Sequence, residues 1–365
     1  MEQARGVSLE ALRLFSIPGQ LTHIEELKRG HINRTYVGTW ATDAGAKRYV
    51  HQVVNHRVFQ DITGLMENFR TVTETVQTAI ASSQSTSNDV TLTIVPTRTG
   101  ALFAQDALGE YWRTSPFIEN TKSFDVCPSV RVAGEAGAIL GRFQRHLLAL
   151  DPLELVETIP GFMDSRRRFV ALKEAVAEDC FSRVQHCSKE VEFALSLEQE
   201  GRSLNDGLES GRFPSRVVHN DMKLNNVLFD SAGLDAICLL DLDTCMAGTV
   251  LYDFGDLVRN TAVPCAEDEQ DLSKIFVDRD LYIAIYEGYI REMGDALSDE
   301  ERHFLPVAPR VLALTLGVRF LSDYLTGDTY FRTHRDAHNL DRARAQFEIV
   351  RALTAIEPEL RSIVA

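Results

Sequence analysis

The residue pattern of this 365-residue chain changes near residue 120, and that change constrains the fold more than any other feature. Before it, short segments rich in β-branched and aromatic residues surround one stretch, GLMENFRTVTETVQTAIAS, whose apolar side chains recur at helical spacing. After it, long amphipathic segments predominate. This order predicts an α+β protein with a small antiparallel sheet lobe over residues 1–118, a larger and mostly helical lobe over residues 119–365, and a cleft between them.

Strands of the first lobe are predicted for five segments: ELKRGHINRTYVGTW, KRYVHQVVN, DVTLTIVPT, ALFAQDA and EYWRTSPFI. The first two are separated by TDAGA, a predicted turn. In the second lobe, RRRFVALKEAVAEDCFSRVQHCSKEVEFALSLEQE is helical in pattern but too long for one helix, so it must contain a break. The strand-like segments of this lobe are confined to residues 217–244.

The net charge of −15 and the isoelectric point near 5.2 limit the partners of the chain. Nucleic acids and anionic membranes bind basic surfaces, so neither is expected as a partner. A nucleotide is not excluded, because a few local cations and a metal ion can hold phosphates in an acidic protein. The chain has no signal-peptide pattern, no apolar run of about 18 residues and no metal-ligand spacing among its cysteines, so we expect a cytoplasmic monomer or homodimer.

Two apolar, strand-like runs flank a polar cluster in VVHNDMKLNNVLFD, which has the form H-x-D-x-K-x-x-N. Phosphoryl transfer needs such a set: Asp221 to accept the proton of an attacking hydroxyl and Asn226 to hold a magnesium ion. Lys223 would neutralise charge on the transferred group, while His219 would brace the loop. The alternative is a solvated loop without a chemical role.

The next apolar run, AICLLDLDT, ends in two carboxylates, Asp241 and Asp243. Residues i and i+2 of a strand point to the same face, so both are predicted to reach one metal ion. Oxygen ligands of this kind suit Mg²⁺. An acidic strand end that faces water is the alternative, but the two motifs in this order favour a magnesium-dependent phosphoryl-transfer site.

The segments HNDMKLNN, LLDLDT and YDFGDL together resemble the aminoglycoside phosphotransferase and choline kinase superfamily. Its members are small-molecule kinases with a bilobal, protein-kinase-like fold. The resemblance implies that Asp221 is the catalytic aspartate, that Asn226 and Asp241 bind the metal, and that Asp253 is structural. It also implies ATP as co-substrate and Mg²⁺ as cofactor.

A narrower resemblance, to the N-acetylhexosamine 1-kinase branch, rests on six further segments: GHINRTYVGTW, YVHQVVNHRVFQDITGLMENFRTVT, WRTSPFIENTKSFD, ETIPGF, RFLSDYLTGDTYF and HNLDRARAQF. Those enzymes use ATP to phosphorylate the anomeric hydroxyl of N-acetylglucosamine or N-acetylgalactosamine. The resemblance implies a small sugar as substrate. Another acceptor, such as an aminoglycoside, choline, homoserine or another hexose, and a nucleotide-binding pseudokinase are the alternatives.

In a small lobe of this kind, GHINRTY is the turn over the nucleotide phosphates. Gly30 and Asn33 are then expected near the phosphates and His31 near phosphate or sugar, although a single glycine is a weak signal. The third strand departs from the pattern, because Gln52 stands where a lysine is expected. Glu67 on the following helix is the candidate partner of this position, with Glu74 as another.

The remaining candidates surround the nucleotide base and the acceptor. TSPFIEN is placed as the connection between lobes, where Phe117, Ile118 and Glu119 would contact adenine. In RFLSDYLTGDTYF, Arg319 and Tyr324 combine charge with aromatic surface, as sugar sites do. An ion pair of Arg319 with Asp323 fits the spacing equally well. Thr244, directly after LDLD, is a further candidate for contacting the substrate.

Overall fold

A computed structural model describes residues 7–27, 32–82 and 88–364 of the chain. The small lobe is an antiparallel sheet of five strands in the order β1-β2-β3-β5-β4. A four-residue helix precedes the sheet and one long helix follows its third strand. These elements are α1 (Leu9–Leu12), β1 (Gln20–Leu27), β2 (Arg34–Thr42), β3 (Gly45–Val54), α2 (Ile62–Ser82), β4 (Ala104–Gln105) and β5 (Tyr111–Pro116).

The large lobe is mostly helical and holds two small sheets, β6-β8-β9 and β7-β10, beside the cleft. Its strands are β6 (Thr121–Lys122), β7 (Arg216–Val218), β8 (Val227–Asp230), β9 (Ala236–Leu239) and β10 (Met246–Gly248). Its helices are α3 (Val130–His146), α4 (Ser165–Glu178), α5 (Ser188–Ser196), α6 (Glu198–Gly201), α7 (Ser203–Glu209), α8 (Val250–Thr261), α9 (Arg279–Met293), α10 (Asp299–Phe304), α11 (Ala308–Leu325) and α12 (His338–Val364). The predicted α+β fold class, with a small sheet lobe and a larger helical lobe, is confirmed.

Helix α2 lies between β3 and β4 in sequence but packs largely on the other lobe. Its apolar residues recur at helical spacing, as the sequence predicts, and Phe69, Val72 and Val76 belong to the large-lobe core. Leu65 and Met66, one turn earlier, pack against the end of β3 in a separate cluster. The helix therefore joins the core of the large lobe to the rim of the sheet.

Helices α3 and α9 form a close pair in the large lobe, made possible by small residues. A side chain at Gly288 would lie 2.0 Å from the carbonyl oxygen of Gly134, and one at Gly137 would lie 2.1 Å from that of Ile285. Glycine lets the two backbones approach, and this fixes α3 behind the loop that follows β7. No helix of the described residues is both long and apolar enough to cross a membrane.

Several predicted elements need correction. DVTLTIVPT is not a strand of the sheet: the amide of Val90 bonds to Ile237 in the large lobe and that of Val95 to Thr114 in the small lobe. The segment thus runs between lobes and has no single partner strand. ALFAQDA is a strand only at Ala104–Gln105, and the first predicted segment divides into β1 and β2.

Other local predictions are confirmed. The turn in TDAGA connects β2 and β3, with Gly45 at a φ of 106°. EYWRTSPFI contains β5. The long helical segment breaks after α4, where Asp179 adopts left-handed geometry with φ 37°.

Candidate active site

The loop after β7 is anchored from behind by one buried carboxylate, Asp253 of α8. Its Oδ2 accepts hydrogen bonds from the amide of His219 (2.9 Å) and from Nε2 of Gln144 (2.8 Å), and its Oδ1 accepts one from the amide of Asn220 (2.7 Å). These bonds hold Asn220 in left-handed geometry, with φ 65°. The carboxylate therefore fixes the backbone of the two residues that precede Asp221.

His219 is fully buried and lies inside the loop rather than at its surface. Its Nδ1 accepts a hydrogen bond from the amide of Asp221 (3.3 Å), so Nε2 carries the proton and donates to the carbonyl of Leu240 (2.8 Å). The ring thereby joins the loop to the segment that follows β9. This agrees with the expected bracing role and leaves no free ring nitrogen for chemistry.

Asp221 faces the cleft beside Lys223, whose Nζ lies 2.8 Å from Oδ1. Burial alone would raise the pKa of Asp221, but the charge and hydrogen bond of Lys223, with the charge of Arg259, hold it below its ordinary value. In return, the charge of Asp221 raises the pKa of Lys223. The carboxylate is therefore ionised at neutral pH and can receive a hydrogen bond from a hydroxyl.

Asn226 lies on the other side of the loop, in a 3₁₀ turn over Leu224–Asn226. Its Nδ2 donates to the backbone carbonyl of Asp221 (2.9 Å), which orients the amide. The side-chain oxygen is left as an acceptor, the atom by which an asparagine binds a metal ion.

The two aspartates of LDLDT do not share the face of a strand, so that prediction is wrong. Strand β9 ends at Leu239, and Asp241 adopts left-handed geometry (φ 58°) before a 3₁₀ turn over Leu242–Thr244. As a result, the Asp241 side chain is exposed and the Asp243 side chain is buried. The surrounding protein partly removes water from the Asp241 carboxylate, and this desolvation raises its pKa to about 6 together with the negative charges of Asp243 and Asp221.

Asp243 does not present free oxygens to a metal ion, in contrast to the prediction. Both carboxylate oxygens pair with the guanidinium of Arg113, a buried residue of β5, at 2.9 Å for Nη2 and Oδ2. Nδ2 of Asn33 also donates to Oδ2 (2.7 Å), and Thr158 donates to the Asp243 carbonyl. The carboxylate thus joins the small lobe to the large lobe.

The remaining acceptors fit a magnesium ion. Among the described residues, no hydrogen bond reaches the Asp241 carboxylate, and no group of three or more His, Cys, Asp or Glu side chains is arranged to hold a metal ion by itself. Mg²⁺ suits such a site, because it is usually held by one or two protein oxygens together with phosphates and water. Asn226 and Asp241 are the residues that would hold it.

On the small-lobe side, Gly30 and His31 lie outside the described residues. Glu67 and Glu74 are exposed on α2, and Glu67 pairs with Arg70, so neither is the inward-facing partner that the sequence predicts. The inward position of the helix is taken by Asn68, because the apolar face of α2 turns it toward the large lobe. Its amide bonds to the backbones of Val156 and Cys245 at 2.8–3.1 Å.

Gln52, the residue at the expected lysine position, lies beside an arginine of the neighbouring strand. It is the register partner of Arg113 on the adjacent strand, and Nε of Arg113 donates to its side-chain oxygen (2.9 Å). Arg113 was not singled out from the sequence. The one available signal is a charged residue in the middle of an apolar strand, between Trp112 and Thr114, which are both fully buried.

The connection between the lobes contains the three predicted adenine contacts. Phe117 and Ile118 are half-buried, and the guanidinium of Arg48 lies 3.9 Å from the centre of the Phe117 ring. The Glu119 side chain is exposed and pairs with Arg48, so that only its backbone is available to a base.

Of the three predicted acceptor contacts within the described residues, Arg319 is available, whereas Tyr324 and Thr244 are not. Tyr324 is buried against Arg183, 4.7 Å from ring centre to guanidinium, because its helix face is part of the core. Thr244 is buried and donates to the carbonyl of His219 (2.7 Å), which makes it a brace of the loop. Arg319 does not pair with Asp323, whose carboxylate binds three backbone amides of residues 329–331 instead.

Arg319 lies among aromatic rings. Its guanidinium is 5.3–5.7 Å from the ring centres of Phe162, Tyr330 and Phe331, and Tyr330 is 61% exposed. Phe162 belongs to the same loop as Thr158, whose hydroxyl bonds to Asp243. The exposed tyrosine was missed from the sequence, because its direction depends on the loop that Asp323 holds.

A bilobal fold with this loop defines a phosphotransferase, and comparison with known proteins agrees. A model of the phosphotransferase enzyme family matches residues 89–281, more than half of the chain. The protein belongs to this family, and its small-molecule kinase fold is that of aminoglycoside phosphotransferases and choline kinases.

Solved structures share the fold over nearly the full length. An aminoglycoside phosphotransferase from Alicyclobacillus acidocaldarius is 12% identical, with a TM-score of 0.62 and coverage of 100% of this chain and 98% of that one. A microcompartment-associated aminopropanol kinase is 15% identical, with a TM-score of 0.57 and coverage of 98% of both chains. Choline kinase from Cryptosporidium parvum is 11% identical, with a TM-score of 0.58 and coverage of 94% of this chain and 93% of that one. At these identities the likeness shows the fold alone.

Proposed function

We propose that this protein is an ATP-dependent sugar kinase that phosphorylates the anomeric 1-hydroxyl of an N-acetylhexosamine, GlcNAc or GalNAc. The observation that carries the proposal is the convergence of Asp221, Asn226 and Asp241 on one side of the cleft. The Asn226 amide bonds to the backbone of Asp221, and the backbone carbonyl of Asn226 accepts a hydrogen bond (2.8 Å) from the amide of Leu240, the residue before Asp241. We place the nucleotide-binding lobe in residues 1–118 and the catalytic and acceptor-binding lobe in residues 119–365.

In the proposed reaction, Asp221 accepts the proton of the acceptor hydroxyl as the hydroxyl oxygen attacks the γ-phosphorus of ATP. The bond from the γ-phosphorus to the β–γ bridging oxygen breaks, and ADP leaves. Lys223 keeps the carboxylate ionised before the proton arrives. Asn226 and Asp241 would hold a magnesium ion, which would supply positive charge to the phosphates. Phe117, Ile118 and the backbone of Glu119 contact the adenine.

Two observations support a sugar as the acceptor. The segments that resemble the N-acetylhexosamine 1-kinase branch include RFLSDYLTGDTYF, which supplies Arg319 and Tyr330. Sugar sites combine aromatic stacking surfaces with polar groups that bind hydroxyls, and the exposed Tyr330 ring beside the guanidinium offers both. In the proposed site, Arg319 is kept as an acceptor contact and Tyr330 takes the place of Tyr324 and Thr244.

A panel of acceptors tests the proposal. The full chain is incubated with Mg-ATP and GlcNAc, GalNAc, glucose, choline, aminopropanol or kanamycin; ADP release is measured, and phosphorus NMR identifies the product. We expect turnover with the N-acetylhexosamines, a sugar 1-phosphate as product, and a raised KM for the sugar in Tyr330→Ala.

The panel also separates the alternatives. Turnover only with the amino alcohols or the aminoglycoside would reject the sugar and retain the kinase. Nucleotide binding without turnover on any acceptor would favour a pseudokinase.

A further inference from the structure

Among the described residues of the small-lobe sheet, the buried cation is Arg113, and it stands beside the position where the third-strand lysine is missing. Gln52 occupies that position on β3 without a charge. Its register partner on β5 is Arg113, so the two side chains lie on the same face of the sheet. Arg113 is 3% exposed, and its guanidinium lies 5.1 Å from the centre of the Phe69 ring on α2.

The hydrogen bonds of Arg113 fix the direction of its charge. Nε donates to Gln52, while Nη1 and Nη2 each donate to one oxygen of Asp243. Each terminal nitrogen carries two hydrogens, so each keeps one donor for a further partner. Asp243, which pairs with Arg113, lies two residues after Asp241 in the same turn, so the guanidinium stands near the proposed metal ligand.

The carboxylate partner of this cation comes from an unusual place. In protein kinases the lysine of the third strand pairs with a glutamate of the following helix. Here Glu67 and Glu74 are exposed, and Asn68 takes the inward position of α2. The carboxylate is Asp243 instead, two residues after Asp241.

We propose that Arg113 is the small-lobe residue that binds the nucleotide phosphates, and that Asp243 holds its guanidinium in place for that purpose. Arg113 thus takes the place of the missing lysine, from the neighbouring strand, and the Arg113–Asp243 pair takes the place of the lysine–glutamate pair. The spare hydrogens on Nη1 and Nη2 lie on opposite edges of the guanidinium, so each offers one charge-assisted hydrogen bond to a phosphate oxygen. This inference rests on the proposed use of a nucleoside triphosphate.

Direct binding measurements test it without any acceptor. The affinities of the full chain for adenosine, ADP and ATP are measured by calorimetry, in EDTA and in Mg²⁺. For Arg113→Gln we expect the affinity for ADP and ATP to fall on the order of tenfold or more, because a charge-assisted contact is lost, and the affinity for adenosine to stay within about twofold. Arg145→Gln, which removes an exposed arginine paired with Asp295, is the matched control.

The Asp243→Asn variant separates phosphate binding from a purely structural pair. If Arg113 binds the phosphates and Asp243 positions it, Asp243→Asn weakens ADP binding in EDTA by less than Arg113→Gln does and leaves the affinity for adenosine within about twofold. If the pair only holds the lobes together, both variants weaken adenosine and ADP equally, and that result overturns the inference.

A single change that buries an unpaired charge can impair folding, so the double variant Arg113→Gln/Asp243→Asn provides a second route. We expect it to bind adenosine as the wild type does and ADP at least about tenfold more weakly. Wild-type affinity for ADP in the folded double variant would overturn the inference. The kinase proposal is judged separately by turnover, so Arg113 can fail while the kinase stands.

Discussion

The two walls of the cleft obtain their functional groups in different ways. On the large-lobe wall, Asp221 and Asn226 lie within one short loop, and the loop is held by bonds to Asp253 and Leu240. On the small-lobe wall, the buried Arg113 lies on β5 and its neighbour Gln52 lies on β3. The counter-ion of Arg113, Asp243, belongs to the large lobe. The first wall is a local unit of sequence, whereas the second exists only once the sheet and the lobes have assembled.

The largest effect is expected from a change to Asp221 on the large-lobe wall of the cleft. Asp221→Asn keeps the shape of the side chain but removes the proton acceptor, so we expect kcat to fall by about 10³-fold. Nucleotide affinity, measured by calorimetry, should change by less than about fivefold, because this contact is made to the acceptor. A variant that retains a tenth of the wild-type kcat would contradict the role of Asp221.

The second prediction concerns the support of the same wall. Asp253→Ala leaves two backbone amides and the Gln144 side chain without their acceptor, so we expect a loss of about 3 kcal/mol in the free energy of unfolding. Thermal denaturation measures it. Asp235→Ala, which removes an exposed carboxylate paired with Arg131, should cost no more than about 0.5 kcal/mol. Equal midpoints for the two variants would show that the buried carboxylate is not an anchor.

The third prediction concerns the interior of the small-lobe sheet and its response to pH. Burial lowers the pKa of His51 to about 4, and its Nε2 accepts a hydrogen bond from Trp40 (3.2 Å). The unfolded chain binds a proton near pH 6.5 and the folded chain only near pH 4. The stability contributed by His51 is therefore complete above pH 6.5 and is lost progressively as the pH falls to 4, by up to about 3 kcal/mol.

His51→Gln should remove this part of the pH dependence. The measurement is the difference between wild type and variant in thermal stability, taken at pH 7.5 and again at pH 4.5. The advantage of the wild type should shrink at the lower pH. A constant difference would mean that His51 is not the titrating group.

The smallest effect is expected for Glu67 on α2, the helix residue that the sequence places at the phosphate site. Glu67→Gln should change the affinity for ATP by less than about twofold, because Glu67 is exposed and pairs only with Arg70. Asn68→Ala, one position further on, should lower the thermal midpoint, since three hydrogen bonds to Val156 and Cys245 are lost. A large loss of affinity in Glu67→Gln would restore the helix glutamate to the phosphate site.

The contrast between the walls also decides what the sequence can predict. The fold class, helix α2 and the polar loop follow from local periodicity and from residues a few positions apart. Arg113 is separated from Gln52 by 61 positions and from Asp243 by 130, so its role depends on strand register and lobe packing. The error at LDLDT has a local cause, since Asp241 adopts a left-handed backbone that alternation along a strand does not anticipate.

The bonds of Asn68 have a consequence for how such an enzyme is controlled. In protein kinases, the position of the corresponding helix decides whether the lysine–glutamate pair forms. Here α2 is packed into the large-lobe core and bonded to its backbone, so an outward swing would break both. Regulation by a swinging helix would therefore have to break this packing and these bonds.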